Sequence, residues 1–156
     1  GAGELGAGCH NGYRRLAPPV DHERRVRTGE GGDGLLLAVE DTLRSSGPHR
    51  YELIWNLAPG LTLIPAGREN EEAPGTDGAR TRAVWCLEGD AGIPRPMELT
   101  IVSPTPFTTA ICRGDESLPA GFYSRRFGER IPIVQLRVTV TAAEWTVTTE
   151  LRTAPS

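Results

Sequence analysis

Apolar and polar side chains alternate at every second position through most of this chain, and an extended strand is the regular backbone that gathers such a spacing onto one face. Leu35, Leu37, Val39 and Leu43 share one face, with Glu40 and Thr42 on the other. Tyr51, Leu53, Trp55 and Leu57 repeat the pattern against Arg50, Glu52 and Asn56. Near the end, Val134, Leu136, Val138 and Val140 alternate with Gln135, Arg137, Thr139 and Thr141. A last run sets Trp145, Val147, Thr149 and Leu151 against Thr146, Thr148, Glu150 and Arg152. Shorter candidate strands cover 22–27, 61–64, 81–87, 98–102 and 108–113. Nowhere do apolar residues recur at helical spacing over a useful length.

Turn chemistry divides these runs. The Gly-rich stretch 29–34, Ser45-Ser46-Gly47-Pro48, Pro59-Gly60 and Ala142-Ala143-Glu144 are predicted as reversals. The stretch 67–79 is polar and acidic without an apolar anchor, which predicts an exposed mobile loop. Many short strands with one apolar face each predict an all-β antiparallel β-sandwich, a single domain over 1–156 without internal repeats.

At 156 residues, the chain is long enough to bury roughly 70% of its unfolded surface in one core. A formal charge of −3 gives no bulk electrostatic reason to expect nucleic acid. All basic residues other than His are Arg. The sequence has no signal-like start and no apolar run near the ~18 residues of a spanning helix, so no membrane span is expected. Cys9, Cys86 and Cys112 cannot all pair internally and lack zinc-site spacing. They are expected to be buried thiols, with one disulfide open to an oxidising compartment.

Residues able to carry chemistry are few. Asn11-Gly12 signals a type I′ turn flanked by His10 and Tyr13. In one continuous strand those two would instead face opposite sides and could not cooperate as acid and base. Asp41 interrupts an apolar face, where an unpaired carboxylate is costly, so it needs a partner or a strand end. Nothing near it in sequence supplies a second metal ligand, and His22 and His49 read as structural. Arg14-Arg15, Arg24-Arg25, Arg27 and Arg125-Arg126 could bind carboxylate or sulfate, but adjacent strand residues face opposite ways, and a solvated face is the default. Trp55 and Trp145 lie on apolar faces and read as core, which leaves Trp85, Phe107, Phe122 and Tyr123 for sugar stacking. The run from Phe122 to Glu129 reads as a loop ordered by its own side chains and as the best candidate recognition or interdomain surface.

The order and spacing of several short elements carry a family resemblance. They are His10-Asn11-Gly12-Tyr13, Leu16, Pro19-Val20, His22 with Arg24-Arg25, Val39-Glu40-Asp41, Asn56-Leu57-Ala58-Pro59-Gly60, and Phe122-Tyr123-Ser124-Arg125-Arg126-Phe127-Gly128. From about His10 to Leu151 the chain resembles the C-terminal β-domain of heparinase II/III-like polysaccharide lyases. It departs at Asn11, where that family usually has Asp, and at Phe122, where Trp is usual.

The resemblance implies a bacterial parent protein, periplasmic or in the cell envelope. That parent would cleave uronic-acid-containing polysaccharide, glycosaminoglycans included, by β-elimination. The chemistry needs a group that neutralises the carboxylate, a base for the C5 proton and an acid for the leaving oxygen. The family places those groups mostly on an N-terminal α/α toroid, and none of the motifs occurs here. No catalytic residue, metal ligand or cofactor is therefore carried over. The expected partners are the parent's own N-terminal catalytic domain and an acidic polysaccharide. The substrate-binding candidates are His10, Tyr13, Tyr123, Arg125 and Arg126. On this reading the chain supports the catalytic domain or lines the substrate cleft. The alternative is a stand-alone carbohydrate-binding or structural, oligomerising β-sandwich.

Overall fold

The computed structural model describes residues 3–29, 34–71, 80–89, 97–118 and 120–153. Its elements in chain order are β1 (Gly3–His10), a 3-10 turn (Gly12–Arg15), β2 (Val20–Thr28), β3 (Leu35–Asn56), β4 (Leu61–Glu71) and β5 (Arg80–Gly89). They continue with β6 (Met97–Ser103), β7 (Thr108–Arg113), β8 (Phe122–Tyr123), β9 (Ile131–Pro132) and β10 (Val134–Thr153). The fold is an all-β antiparallel β-sandwich. Among the described residues there is no α-helix, and no helix is long and apolar enough to cross a membrane.

The two layers belong to one hydrogen-bonded ladder, β1-β2-β3-β10-β6-β5-β4, with β7 added to β10. They arise because β3 and β10 run side by side through both. Residues 37–45 of β3 pair with β2, and residues 148–153 of β10 pair with β6, building the wide layer. Residues 49–56 of β3 pair with 135–142 of β10, whose other side takes β7, building the narrow layer.

Two predicted reversals are corrected here. Ser45–Pro48 and Ala142–Glu144 do not reverse the chain; they are the bend where the paired long strands pass from one layer to the other. The register jumps from Ala142↔His49 to Glu144↔Arg44, so four residues of β3 stand against one of β10. At this irregularity Ala143 shifts the inward face of β10 from even-numbered to odd-numbered positions. Leu136, Val138 and Val140 face inward before the bend, and Trp145 and Val147 after it. Without the shift one of these sets would face solvent. Tyr51 pins the corner by donating its hydroxyl to the Ala143 carbonyl oxygen at 3.1 Å.

The core closes between the layers. Tyr51, Leu53, Val134, Leu136, Val138 and Val140 from the narrow layer pack against Leu63, Ala83, Trp85, Leu99, Ile101, Trp145 and Val147. Trp145 is buried and donates its indole N–H to Ser103 Oγ at 3.0 Å, so its one polar atom is satisfied. Trp85 and Phe107 are also buried, at 4% and 3% exposure, which removes both from the sugar-stacking candidates. The predicted loop at 67–79 begins later than expected, because 67–71 continue β4 against β5; residues 72–79 lie outside the described residues. Of the expected buried thiols, Cys9 is exposed and Cys86 and Cys112 are half-buried, all three unpaired.

Two outcomes follow from this packing. Deleting Ala143 should destabilise the chain by more than the ~2–5 kcal/mol of a single core truncation, because a whole strand half loses its face. Urea unfolding measures it; a loss below about 1 kcal/mol would mean that the bend tolerates either parity. On the outer face, Arg137 Nη2 donates to Glu52 Oε2 at 2.7 Å and, with its charge, holds the Glu52 carboxyl below its ordinary pKa. The folded value lies below the unfolded one, so this stabilisation is complete above the ordinary Glu range and is lost as pH falls through the folded value. Solvent screening keeps it small. Arg137→Met should flatten part of the acid-side fall in melting temperature; superimposable pH curves for the variant and the parent chain would count against the coupling.

Candidate functional site

A cleft of about 390 Å³ opens where the wide layer overhangs the narrow one. One wall is β2 with the adjoining part of β3, contributing His22, Arg24 and Asp41; the other carries Tyr51 and Leu53 from the far half of β3, with Trp145 also in the lining. Among the described residues, 49–56 of β3 pair with β10 on one side and with no strand on the other, so the cleft opens along a sheet edge.

The wall is built around a buried carboxylate. Asp41 faces inward at 1% exposure, a position that alternation reserves for an apolar side chain. Arg24, its register partner on β2, answers it with two hydrogen bonds: Nε donates to Oδ1 at 2.7 Å and Nη2 to Oδ2 at 2.9 Å. His22 Nε2 lies 2.7 Å from the same Oδ1. The hydrogen bond from Arg24 to Asp41 raises the guanidinium pKa above its ordinary value against an opposing effect of burial. The guanidinium also lies 5.8 Å from the Trp55 ring centroid, a cation–π contact across the layers.

Tyr13 completes the mouth. Asn11-Gly12 forms neither a type I′ turn nor a continuous strand: Asn11 has φ −100° and ψ 0°, and a 3-10 turn begins at Gly12. This tight turn swings Tyr13 back toward β1 and β2. Its ring meets His10 edge-on at 5.0 Å between centroids and lies 6.2 Å from His22. Tyr13 lines the cleft, whereas His10 supports it from behind. His49 Nε2 lies 2.9 Å from the Pro18 carbonyl oxygen and ties the connection before β2 to the bend.

The other candidates sit elsewhere. Tyr123, Arg125 and Arg126 belong to the β8–β9 hairpin, and none of them lines the cleft. The hairpin is ordered by its own bonds, as expected. Ser124 Oγ donates to the Arg126 carbonyl oxygen at 2.6 Å, Arg126 Nε lies 3.5 Å from Glu129 Oε2, and Arg130 covers the Phe122 ring at 3.9 Å. Gly121 anchors it to β7 and β10 with φ +72°, where a Cβ would stand 2.8 Å from Gly114 N and 2.9 Å from the Ile133 carbonyl oxygen. Phe127 is fully exposed at its tip.

The structure thus unites His10 and Tyr13 with His22 and Asp41, read from the sequence as structural, and with Arg24, read as an anion-binding candidate whose default was a solvated face. The signal for them was the carboxylate on an apolar face together with two potential cations two positions apart on one strand. Among the described residues, no group of three or more His, Cys, Asp or Glu is placed to hold a metal ion.

The pattern of the family described as "Heparinase II/III-like, C-terminal" matches residues 1–152. The chain belongs to this family. No curated protein and no solved structure matches it. The cleft and the hairpin are two separate surfaces of the chain.

The wall has a measurable energetic signature. Arg24→Met would leave Asp41 buried with only His22 beside it and should cost about 3 kcal/mol in urea unfolding. Adding Asp41→Leu should restore most of that loss, because the stranded carboxylate goes with it. A double variant no more stable than the single one would show that the cost lies in lost packing of the arginine stem.

Proposed function

We propose that this chain is the C-terminal β-sandwich domain of a polysaccharide lyase whose substrate is a uronic-acid-containing polysaccharide. The domain is itself non-catalytic. It supports the catalytic domain and lends one wall to the path of the sugar chain. Family membership supports the setting, and the observation that carries the wall is the cleft between the layers. Its mouth presents an exposed tyrosine ring buttressed by a second ring, an apolar flank suited to a sugar face. Bacterial origin and a periplasmic or cell-envelope setting follow from the same reading.

His10 and Tyr13 serve the cleft, Tyr13 directly and His10 by holding its ring. Tyr123, Arg125 and Arg126 offer a second, convex surface. A protruding hairpin cannot surround a ligand, so its role on this reading is contact with the catalytic domain or the cleft rim.

Calorimetric titration of the chain with a uronate hexasaccharide tests the cleft. Binding is expected, and Tyr13→Ala should weaken it roughly tenfold while leaving the unfolding midpoint within about 0.5 kcal/mol of the parent chain. Absence of binding, or binding indifferent to Tyr13, would remove the cleft from the sugar path. In the intact lyase, the same substitution should slow release of the unsaturated uronate product measured by ultraviolet absorbance.

A further inference from the structure

We infer that Arg24 is the specificity-determining residue of the cleft, reading a carboxylate on the bound sugar, and that buried Asp41 is the positioning residue that holds it in place for this. The inference rests on the cleft being the sugar path and goes further by naming the contact that separates acidic from neutral chains.

A guanidinium has five N–H donors arranged on two usable edges. Asp41 occupies the side edge, taking Nε at 2.7 Å and Nη2 at 2.9 Å. Among the described residues, no bond is made by the end edge, which presents one Nη1 donor and the second Nη2 donor. The side chain is 43% exposed and lines the cleft; on this inference that edge turns toward a ligand there. The Asp41 side chain is only 2% exposed, and its oxygens are already engaged, Oδ1 by Arg24 and His22 and Oδ2 by Arg24. Its position on β3, opposite Arg24 in the β2–β3 register, fixes the arginine from behind.

This clamp matters for selectivity because a free arginine must lose side-chain entropy before it can make a planar two-bond contact. Here the plane is set in advance by two hydrogen bonds, and the Trp55 ring lies beneath it. A carboxylate that meets the end edge gains two charge-assisted bonds at once. A neutral sugar hydroxymethyl in the same place would form at most one of ordinary strength.

Two comparisons test this, the first needing no protein variant. The chain is titrated with a uronate hexasaccharide and with the same oligosaccharide after reduction of its carboxyl groups to alcohols. The reduced ligand should bind roughly tenfold to hundredfold more weakly. Arg24→Lys keeps a cation beside Asp41 but has no planar fork, and it should erase most of that difference while the fold persists by circular dichroism. Asp41→Asn should shrink the difference with Arg24 still present. Equal affinity for the two ligands, or a discrimination unchanged in Arg24→Lys, overturns the assignment and leaves the cleft as a neutral sugar path. Failure of both ligands to bind overturns the cleft itself, and this inference with it.

Discussion

Everything in this fold depends on two long strands bending at the same height. β3 and β10 are hydrogen-bonded neighbours on both sides of the bend, so neither can turn alone without breaking the ladder between them. The register shift at Ala143 lets β10 turn and keep its apolar side inward, while β3 takes the longer path through Ser45–Pro48. The consequence is large because the side chains on either side of the bend supply much of the core. Burying each large apolar side chain contributes about 1.5–3 kcal/mol, and Leu136, Val138, Trp145 and Val147 are all fully inside. A bend that failed to change parity would sacrifice half of that set.

The same bend creates the cleft and explains why a carboxylate is tolerated inside it. The wide layer has more strands than the narrow one, so β2 and its half of β3 overhang the edge at residues 49–56. Asp41 lies on that overhang, buried beneath Arg24 and His22 yet within reach of the cleft. A carboxylate deeper between the layers would have met only hydrocarbon and would have cost several kcal/mol. At the overhang, its partners keep one side in water. The ion pair is therefore a poor source of stability and a good way of fixing a side chain, consistent with the use of buried polar contacts for specificity.

Alternation made most of the architecture legible. β2, β5, β6, β7 and both halves of β3 and β10 lie where period-two patterns place them. What the sequence concealed was whether a break in pattern reverses the chain or merely bends it. Gly47-Pro48 has ordinary turn chemistry, and only pairing with β10 on both sides shows that the strand continues. β1 was missed for a related reason: Gly3, Gly6 and Gly8 leave it without an alternating apolar set, and its strand character comes entirely from pairing with β2. Trp85 and Phe107 read from the sequence as sugar-stacking candidates; their burial depends on the opposite layer. In the site, Asp41 was legible as a residue needing a partner. That the partners would be Arg24 and His22 was not, because inter-strand register cannot be read from either strand alone.

The cleft and the β8–β9 hairpin differ in how they are held, and the difference bears on what each can do. The cleft wall is fixed by long-range bonds: Arg24 and His22 reach Asp41 across 17 and 19 residues of sequence. Its geometry exists only when the sandwich is closed, so a ligand there senses the folded state of the whole domain. The hairpin is fixed by bonds spanning a few residues and by one glycine that admits the backbone of its neighbours. Its exposed Phe127 has nothing of its own domain to cover it among the described residues. Rigid concavity favours selecting a ligand by the placement of its charge, whereas a locally ordered projection with an aromatic tip favours fitting a partner's pocket. The two properties reside in separate segments, the cleft wall in β2 and β3 and the projection in the β8–β9 hairpin.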